Sequence, residues 1–234
     1  MIKKYLTYLY KEAERQKERM LKQVLSTLPK NGTLLDVGCW DGEKTLWWGE
    51  ALKAKRIIGL DSVESACQIA RDKGIEAHVC NLDREKWPIK DNTIDYLVSN
   101  LVIEHLSDVD HYILESNRVL KKGGYSIIST NNLSSWHNIF SLIFGWTPFD
   151  LTNSSPRVWS IGNPLVIHND VKSVYGPTFL HKCVYTIKWL KEWYELYDFK
   201  LEYVKGAGYY PLPNFIGNID KTHASLMILV FKKK

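Results

Sequence analysis

The apolar run Thr33-Leu34-Leu35 leads into Asp36-Val37, and two glycines, Gly38 and Gly42, then bracket Cys39-Trp40-Asp41. A buried strand that turns sharply into a helix has this pattern, and it leaves a backbone-lined hollow in which a nucleotide-like ligand can lie. A second apolar run, Arg56-Ile57-Ile58-Gly59-Leu60, ends in Asp61, nineteen residues after Gly42. A carboxylate at that place can accept both hydroxyl protons of a ribose, and it can equally cap the helix that follows. Further polar residues close the other apolar runs: Asn81-Leu82-Asp83, Ser99-Asn100-Leu101 and Thr130-Asn131-Asn132.

Two kinds of ribose-bearing cofactor compete for such a site. A nicotinamide dinucleotide usually takes a Gly-x-Gly-x-x-Gly loop, but Trp40 stands two places after Gly38. No Tyr has a Lys four residues later, the pair that short-chain dehydrogenases use. Asp36, inside the first strand end, instead suits a ligand that carries a cationic amino acid moiety.

The elements that position these residues follow from periodicity. Residues 2–28 place Leu6, Leu9, Tyr10, Ala13, Met20, Leu21, Val24, Leu25 and Leu28 at helical spacing, so a helix precedes the first strand and either packs on the sheet or covers a ligand. Helices are expected at 44–53, 62–73 (with Gly74 as its C-terminal stop), 110–120 and 184–197. Strands are expected at 33–37, 56–61, 76–80, 94–99, 125–130, 201–205 and 225–231. The alternation predicts a doubly wound parallel α/β sheet, with the last two strands as an antiparallel edge hairpin. Between residues 131 and 182 the rhythm stops. Gly145, Pro148, Pro156, Gly162, Pro164, Gly176 and Pro177 alternate with Trp136, Trp146, Phe149, Trp159 and Tyr175, which predicts an ordered insertion over the carboxyl ends of the strands.

The quoted motifs, in order and at family spacing, resemble the class I S-adenosylmethionine (SAM)-dependent methyltransferases of the small-molecule, methyltransferase-11-like type. The resemblance runs from Leu34 to about Thr130. It rests on Leu34-Leu35-Asp36-Val37-Gly38-Cys39-Trp40-Asp41-Gly42, on Ile57-Ile58-Gly59-Leu60-Asp61-Ser62, on the run from Trp87-Pro88-Ile89 to Leu97-Val98-Ser99, on Val102-Ile103-Glu104-His105-Leu106-Ser107-Asp108, and on Arg118-Val119-Leu120-Lys121-Lys122-Gly123-Gly124-Tyr125. It implies a seven-stranded Rossmann-like sheet in the order 3-2-1-4-5-7-6 with strand 7 antiparallel, in a single domain over 1–234. By the same resemblance SAM is the cofactor and S-adenosylhomocysteine the product. Asp36, Gly38, Cys39, Trp40 and Gly42 would hold its amino acid part, Asp61 the ribose, and Ser62 the side of the adenine. Asn81, Leu82 and Asp83 would meet the adenine edge, and Asn100 and Leu101 would line the methionine portion. Trp40 departs from the family's usual middle glycine, and the acid that usually reads the adenine amino group is either displaced to Asp83 or replaced by Asn81.

The function expected is methyl transfer to a small or medium organic acceptor, at oxygen first, in a glycan, lipid or natural-product pathway. N- or C-methylation on the same scaffold, or a non-catalytic SAM-binding module, are the alternatives. Displacement at a sulfonium needs alignment more than a base. His105 and His137 are the histidines proposed for proton removal, with His168, His181 and His223 behind them. No His or Cys pair has metal-ligand spacing, His168-x-Asp170 alone being too little, so no metal is expected. The Ser99-Asn100-Leu101-Val102 run lacks the Asn-Pro-Pro-Tyr of base-amino methyltransferases. The formal charge of +5 is partly terminal, so nucleic acid is not an expected partner. The four cysteines show no paired framework, no apolar run reaches the ~18 residues of a membrane span, and no apolar leader opens the chain. A cytoplasmic protein with reduced thiols is expected.

Overall fold

A computed structural model describes residues 2–166 and 179–234, the side chains of residues 2 and 3 excepted. Seven strands form one sheet: β1 (Thr33–Val37), β2 (Arg56–Asp61), β3 (Glu76–Val79), β4 (Ile94–Asn100), β5 (Leu120–Asn131), β6 (Phe199–Ala207) and β7 (Leu226–Lys233). Their order is β3-β2-β1-β4-β5-β7-β6. The β1–β5 pairs are parallel, while β7 runs antiparallel to both β5 and β6. The late hairpin is therefore present, with its second strand inserted against β5 and its first at the edge. Strands buried on both faces must be continuously apolar, and β1 and β7 are buried along almost their whole length.

The helices are α1 (Ile2–Thr27), α2 (Glu43–Leu52), α3 (Glu64–Asp72), α4 (Val109–Val119), α5 (Trp136–Ile143) and α6 (Ile187–Glu195). On one sheet face Leu21, Val24 and Leu25 of α1 and Trp48 and Leu52 of α2 pack with Val98, Ile127, Ile228 and Val230. On the other, Tyr112 and Ile113 of α4 and Leu190 and Tyr194 of α6 close over Leu35, Leu97, Leu229 and Phe231.

Two details depart from the periodicity. Leu120, expected to end a helix, and 121–124, expected as a plain break, join β5 through an irregular pairing in which Leu120 meets Ile94 and Tyr125 meets Tyr96. And α5 lies within the supposedly irregular insertion. Its Trp136, Ile139, Phe140 and Ile143 have helical spacing, but flanking Gly and Pro residues mask so short a signal. Among the insertion's expected features, Tyr175, Gly176 and Pro177, together with His168 and Asp170, lie outside the described residues.

The connector after β3 is pinned by residues of α4. Arg118 donates to the carbonyls of Trp87 (3.0 Å) and Ile89 (2.7 Å), and Glu115 accepts the Trp87 N–H at 2.7 Å. Arg118 and Glu115 also pair with each other at 2.6 Å. The Trp87-Pro88-Ile89 and Arg118-Val119-Leu120 motifs, thirty residues apart, are thus two halves of one hydrogen-bonded unit.

Candidate active site

A cavity of about 730 Å³ opens at the carboxyl ends of β1, β2 and β4, where parallel sheets bind ligands. It is lined by Asp36, Gly38, Cys39, Trp40, Asp61, Ser62, Asn81, Leu82, Asp83, Asn100 and Leu101. Eleven of the twelve residues expected at a cofactor site are therefore gathered in one place. Gly42 is the exception: it sits behind the loop as the residue preceding α2, at φ +77°. Its role is steric, because a Cβ there would lie 2.4 Å from Ile75 Cδ1. Gly38, at φ +82°, is equally constrained, its Cβ position falling 2.3 Å from Val102 Cγ2. Both glycines let the loop fold onto protein.

Trp40 holds φ +49°, the left-handed conformation that a glycine would adopt without cost. The loop keeps the glycine backbone and adds a ring. That ring walls the cavity and meets the Phe179 ring edge-on at 5.4 Å between centroids.

The two acids differ in what they already bind. Asp36 is buried; one oxygen accepts from Thr45 Oγ1, while Oδ1 has no hydrogen-bond partner among the described residues. Burial, with Asp61 nearby, pushes its carboxyl up to about 7 despite the Thr45 hydroxyl. Asp61 accepts the Trp40 N–H at 2.9 Å and the Val63 N–H at 3.0 Å, and burial raises its pKa against those bonds. The residue before α3 is Val63, so Asp61 folds the entry turn and does not itself cap the helix.

Of the third-strand pair, Asp83 is committed to structure. Its Oδ1 accepts the N–H groups of Ser107 and Asp108 at 2.7 and 3.0 Å, and its Oδ2 pairs with Lys182 at 3.2 Å. Burial works against it, but these partners hold the carboxyl below its ordinary range. Asn81 Oδ1 accepts the Asp83 N–H at 3.1 Å. Asn100 Oδ1 takes the Ser129 hydroxyl at 2.6 Å, and Leu101 stands at φ +57° with its N–H on the Ser129 carbonyl.

A second cavity, about 860 Å³ and mostly apolar, adjoins the first. Leu101, His105 and Phe179 line both. Its walls come from α5 and the rest of the insertion (Trp136, Ile139, Phe149, Trp159) and from the first half of α1 (Leu6, Tyr10, Glu14). The second half of the leading helix packs on the sheet, and its first half lines this cavity. The N-terminal contribution was not legible as a site, because nothing in a helical period says which turn meets a ligand.

The two candidate histidines separate. His105 stands at the junction, with Nδ1 3.1 Å from the Leu180 carbonyl; burial keeps its pKa below the ordinary value in spite of Glu104. His137 touches the apolar cavity only, with Nε2 3.2 Å from Asp150 Oδ2. His181, one of the reserves, comes to rest 4.8 Å from His105, ring centroid to ring centroid, while His223 stacks on Trp136 outside both linings. Phe179 and Lys182 line the first cavity without any motif to announce them.

Residues 35–128 match the family model for a methyltransferase domain. Over 97 residues the chain is 33% identical to malonyl-(acyl-carrier protein) O-methyltransferase of Serratia marcescens, which covers 42% of this chain and 37% of that one. Over 135 residues it is 28% identical to the mitochondrial ubiquinone biosynthesis O-methyltransferase of Homo sapiens, covering 54% and 36%. The chain thus spans less than half the length of these curated relatives. The crystal structure of a SAM-dependent methyltransferase from Mesorhizobium loti superposes with a TM-score of 0.61 at 18% identity, over 96% of this chain and 100% of that one. Residues 35–128 thus carry a methyltransferase domain, and the strand order with its antiparallel β7 gives the chain the fold of SAM-dependent methyltransferases of known structure.

Proposed function

We propose that the protein transfers the methyl group of SAM to a hydroxyl of a small or medium, largely apolar organic acceptor, and that 1–234 acts as one domain with 131–182 as the acceptor lid. The observation that carries this is the junction of the two cavities at Leu101, His105 and Phe179. Bound SAM supplies a sulfonium methyl that an acceptor oxygen takes in line, the electron pair of the broken carbon–sulfur bond staying with sulfur.

The residues fit that cofactor. The orphaned Asp36 Oδ1 is a buried acceptor in want of a cation, which the amino group of SAM provides. Asp61, held by the Trp40 and Val63 N–H groups, keeps lone pairs for the ribose hydroxyls, with Ser62 alongside. Asn81 reads the adenine edge, because Asp83 is already spent on Ser107, Asp108 and Lys182. Gly38, Cys39 and Trp40 shape the amino acid end, and Asn100 and Leu101 flank the methionine portion.

On the acceptor side, apolar walls exclude water and hold the substrate by shape. At the junction the carbonyl of Leu180 can only accept, so His105 carries its proton on Nδ1 and a lone pair on Nε2. Nε2 accepts the hydrogen bond of the hydroxyl, turns its oxygen toward the cofactor cavity and takes up its proton as that oxygen is methylated. The relatives named above are O-methyltransferases, which supports oxygen over nitrogen or carbon. A cytoplasmic enzyme of small molecules also agrees with the described residues, among which no helix is long and apolar enough to cross a membrane.

Calorimetric titration with SAM, followed by radiolabelled methyl transfer to matched apolar alcohols, phenols and amines, tests the proposal. Micromolar binding and label on the hydroxyl compounds are expected. No binding at millimolar SAM overturns the cofactor assignment, and label only on amines overturns the choice of oxygen.

A further inference from the structure

The polar end of the acceptor cavity is built from two adjacent residues and a third that sequence spacing does not connect to them. Glu104 and His105 occupy the turn after β4, and His181 ends the insertion. Their ligand-capable atoms all lie within 4.8 Å of one another. The backbone holds the two segments together, since the N–H groups of Lys182 and Cys183 donate to the Glu104 carbonyl at 2.8 and 3.3 Å.

We propose that Glu104, His105 and His181 bind a divalent transition-metal ion of the zinc class. Three features carry the proposal beyond proximity. Glu104 is wholly buried, and while its Oε2 accepts from Thr130 Oγ1 at 2.8 Å, its Oε1 has no partner among the described residues. A buried carboxylate oxygen in that state is costly unless a cation or donor reaches it. His105 Nδ1 faces the Leu180 carbonyl, and His181 Nδ1 faces the Asp150 carbonyl. Each carbonyl fixes the proton on Nδ1 and leaves Nε2 as a lone-pair donor, the orienting arrangement found behind metal-bound imidazoles. Two imidazoles and one carboxylate select zinc, cobalt or iron over magnesium and calcium, which prefer all-oxygen shells.

With metal–ligand bonds of about 2.1 Å, tetrahedral ligand atoms stand about 3.4 Å apart. Side-chain rotations that shift the ligand atoms by up to about 1.4 Å relative to one another close the present spacing of at most 4.8 Å to that value. Three protein ligands leave a position open, and here it faces the apolar acceptor cavity. Resting on the O-methylation reading, a cation in this position lowers the pKa of an acceptor hydroxyl that reaches it and takes over from His105 Nε2 the task of orienting that oxygen.

The test uses the full chain, stripped with a chelator and titrated with Co²⁺ and, separately, Zn²⁺. One equivalent of Co²⁺ is expected to give a visible absorption band, and Zn²⁺ is expected to raise the melting temperature. Glu104→Gln and His181→Asn should each weaken both responses at least tenfold. His181→Asn should leave SAM binding unchanged, since His181 does not line the cofactor cavity. A wild-type chain with no band and no melting shift at excess metal overturns the proposal. So do folded variants that bind metal as well as wild type. Metal binding that depends on these residues in a chain that binds no SAM leaves the metal site standing and removes the cofactor reading.

Discussion

The Asp61 carboxylate accepts the backbone N–H of Trp40 at 2.9 Å, across 21 residues of chain. The acid that ends β2 therefore pins the middle of the glycine loop that follows β1. Its other oxygen holds the Val63 N–H at the entry to α3. One side chain sets the mutual position of two segments that line the first cavity.

Replacing Asp61 should then do two kinds of damage. Asp61→Ala removes the ribose acceptor and frees the Trp40 N–H, and SAM affinity should fall by about a hundredfold, in line with ~3 kcal/mol for losing hydrogen bonds to a charged group. Asp61→Asn keeps one carbonyl oxygen and should fall between. Calorimetry on both variants checks the order; unchanged affinity in Asp61→Ala would falsify the strand-end assignment.

Asp36 makes cofactor binding depend on pH. Burial pushes its carboxyl from an ordinary 3.8 to about 7 in the free protein, whereas an ammonium group beside it favours the carboxylate. SAM affinity should drop as pH falls through about 7, with proton release on binding below that pH. Asp36→Asn should flatten this dependence and lose at least tenfold in affinity at pH 8. Without ligand, a carboxyl whose pKa is raised on folding contributes stability that is complete below 3.8 and lost as pH rises through about 7. The Asn variant should accordingly melt higher than wild type at pH 8, with the gap shrinking toward pH 4.

Trp40 allows the backbone and the ring to be separated. Trp40→Ala keeps a Cβ at φ +49°, and Trp40→Gly removes it. The glycine variant should be the more stable by ~1 kcal/mol, or about 2–4 °C in melting temperature for a chain of this size. Both should bind SAM more weakly than wild type, having lost the ring that walls the cavity and meets Phe179. Equal melting of the two variants would show that the left-handed conformation is not retained.

Arg118 should matter to stability more than to binding. It joins Trp87, Ile89 and the buried Glu115, and it lines neither cavity. Arg118→Ala strands the Glu115 carboxylate, so a loss of about 3–5 kcal/mol is expected in denaturant unfolding, with SAM affinity per folded molecule unchanged.

Much of the fold and half of the site could be seen in the amino-acid order itself. Apolar runs ending in acids become the buried parallel strands β1 and β2, because strands covered on both faces admit little else and the polar residue marks where the chain leaves the core. The sequence therefore determined the sheet, the strand ends and with them Asp36, Asp61, Asn81 and Asn100 at the first cavity. Only the tertiary structure decided that Gly42 stands behind the loop, that Asp83 is used up on the turn before α4, and that α1 closes the second cavity. It alone brought His181 beside Glu104 and His105. The physical reason is that strand ends are placed by local backbone geometry, which a short window of sequence encodes, while the acceptor side is assembled from segments more than seventy residues apart. Their meeting depends on packing and long-range hydrogen bonds, which no local spacing records.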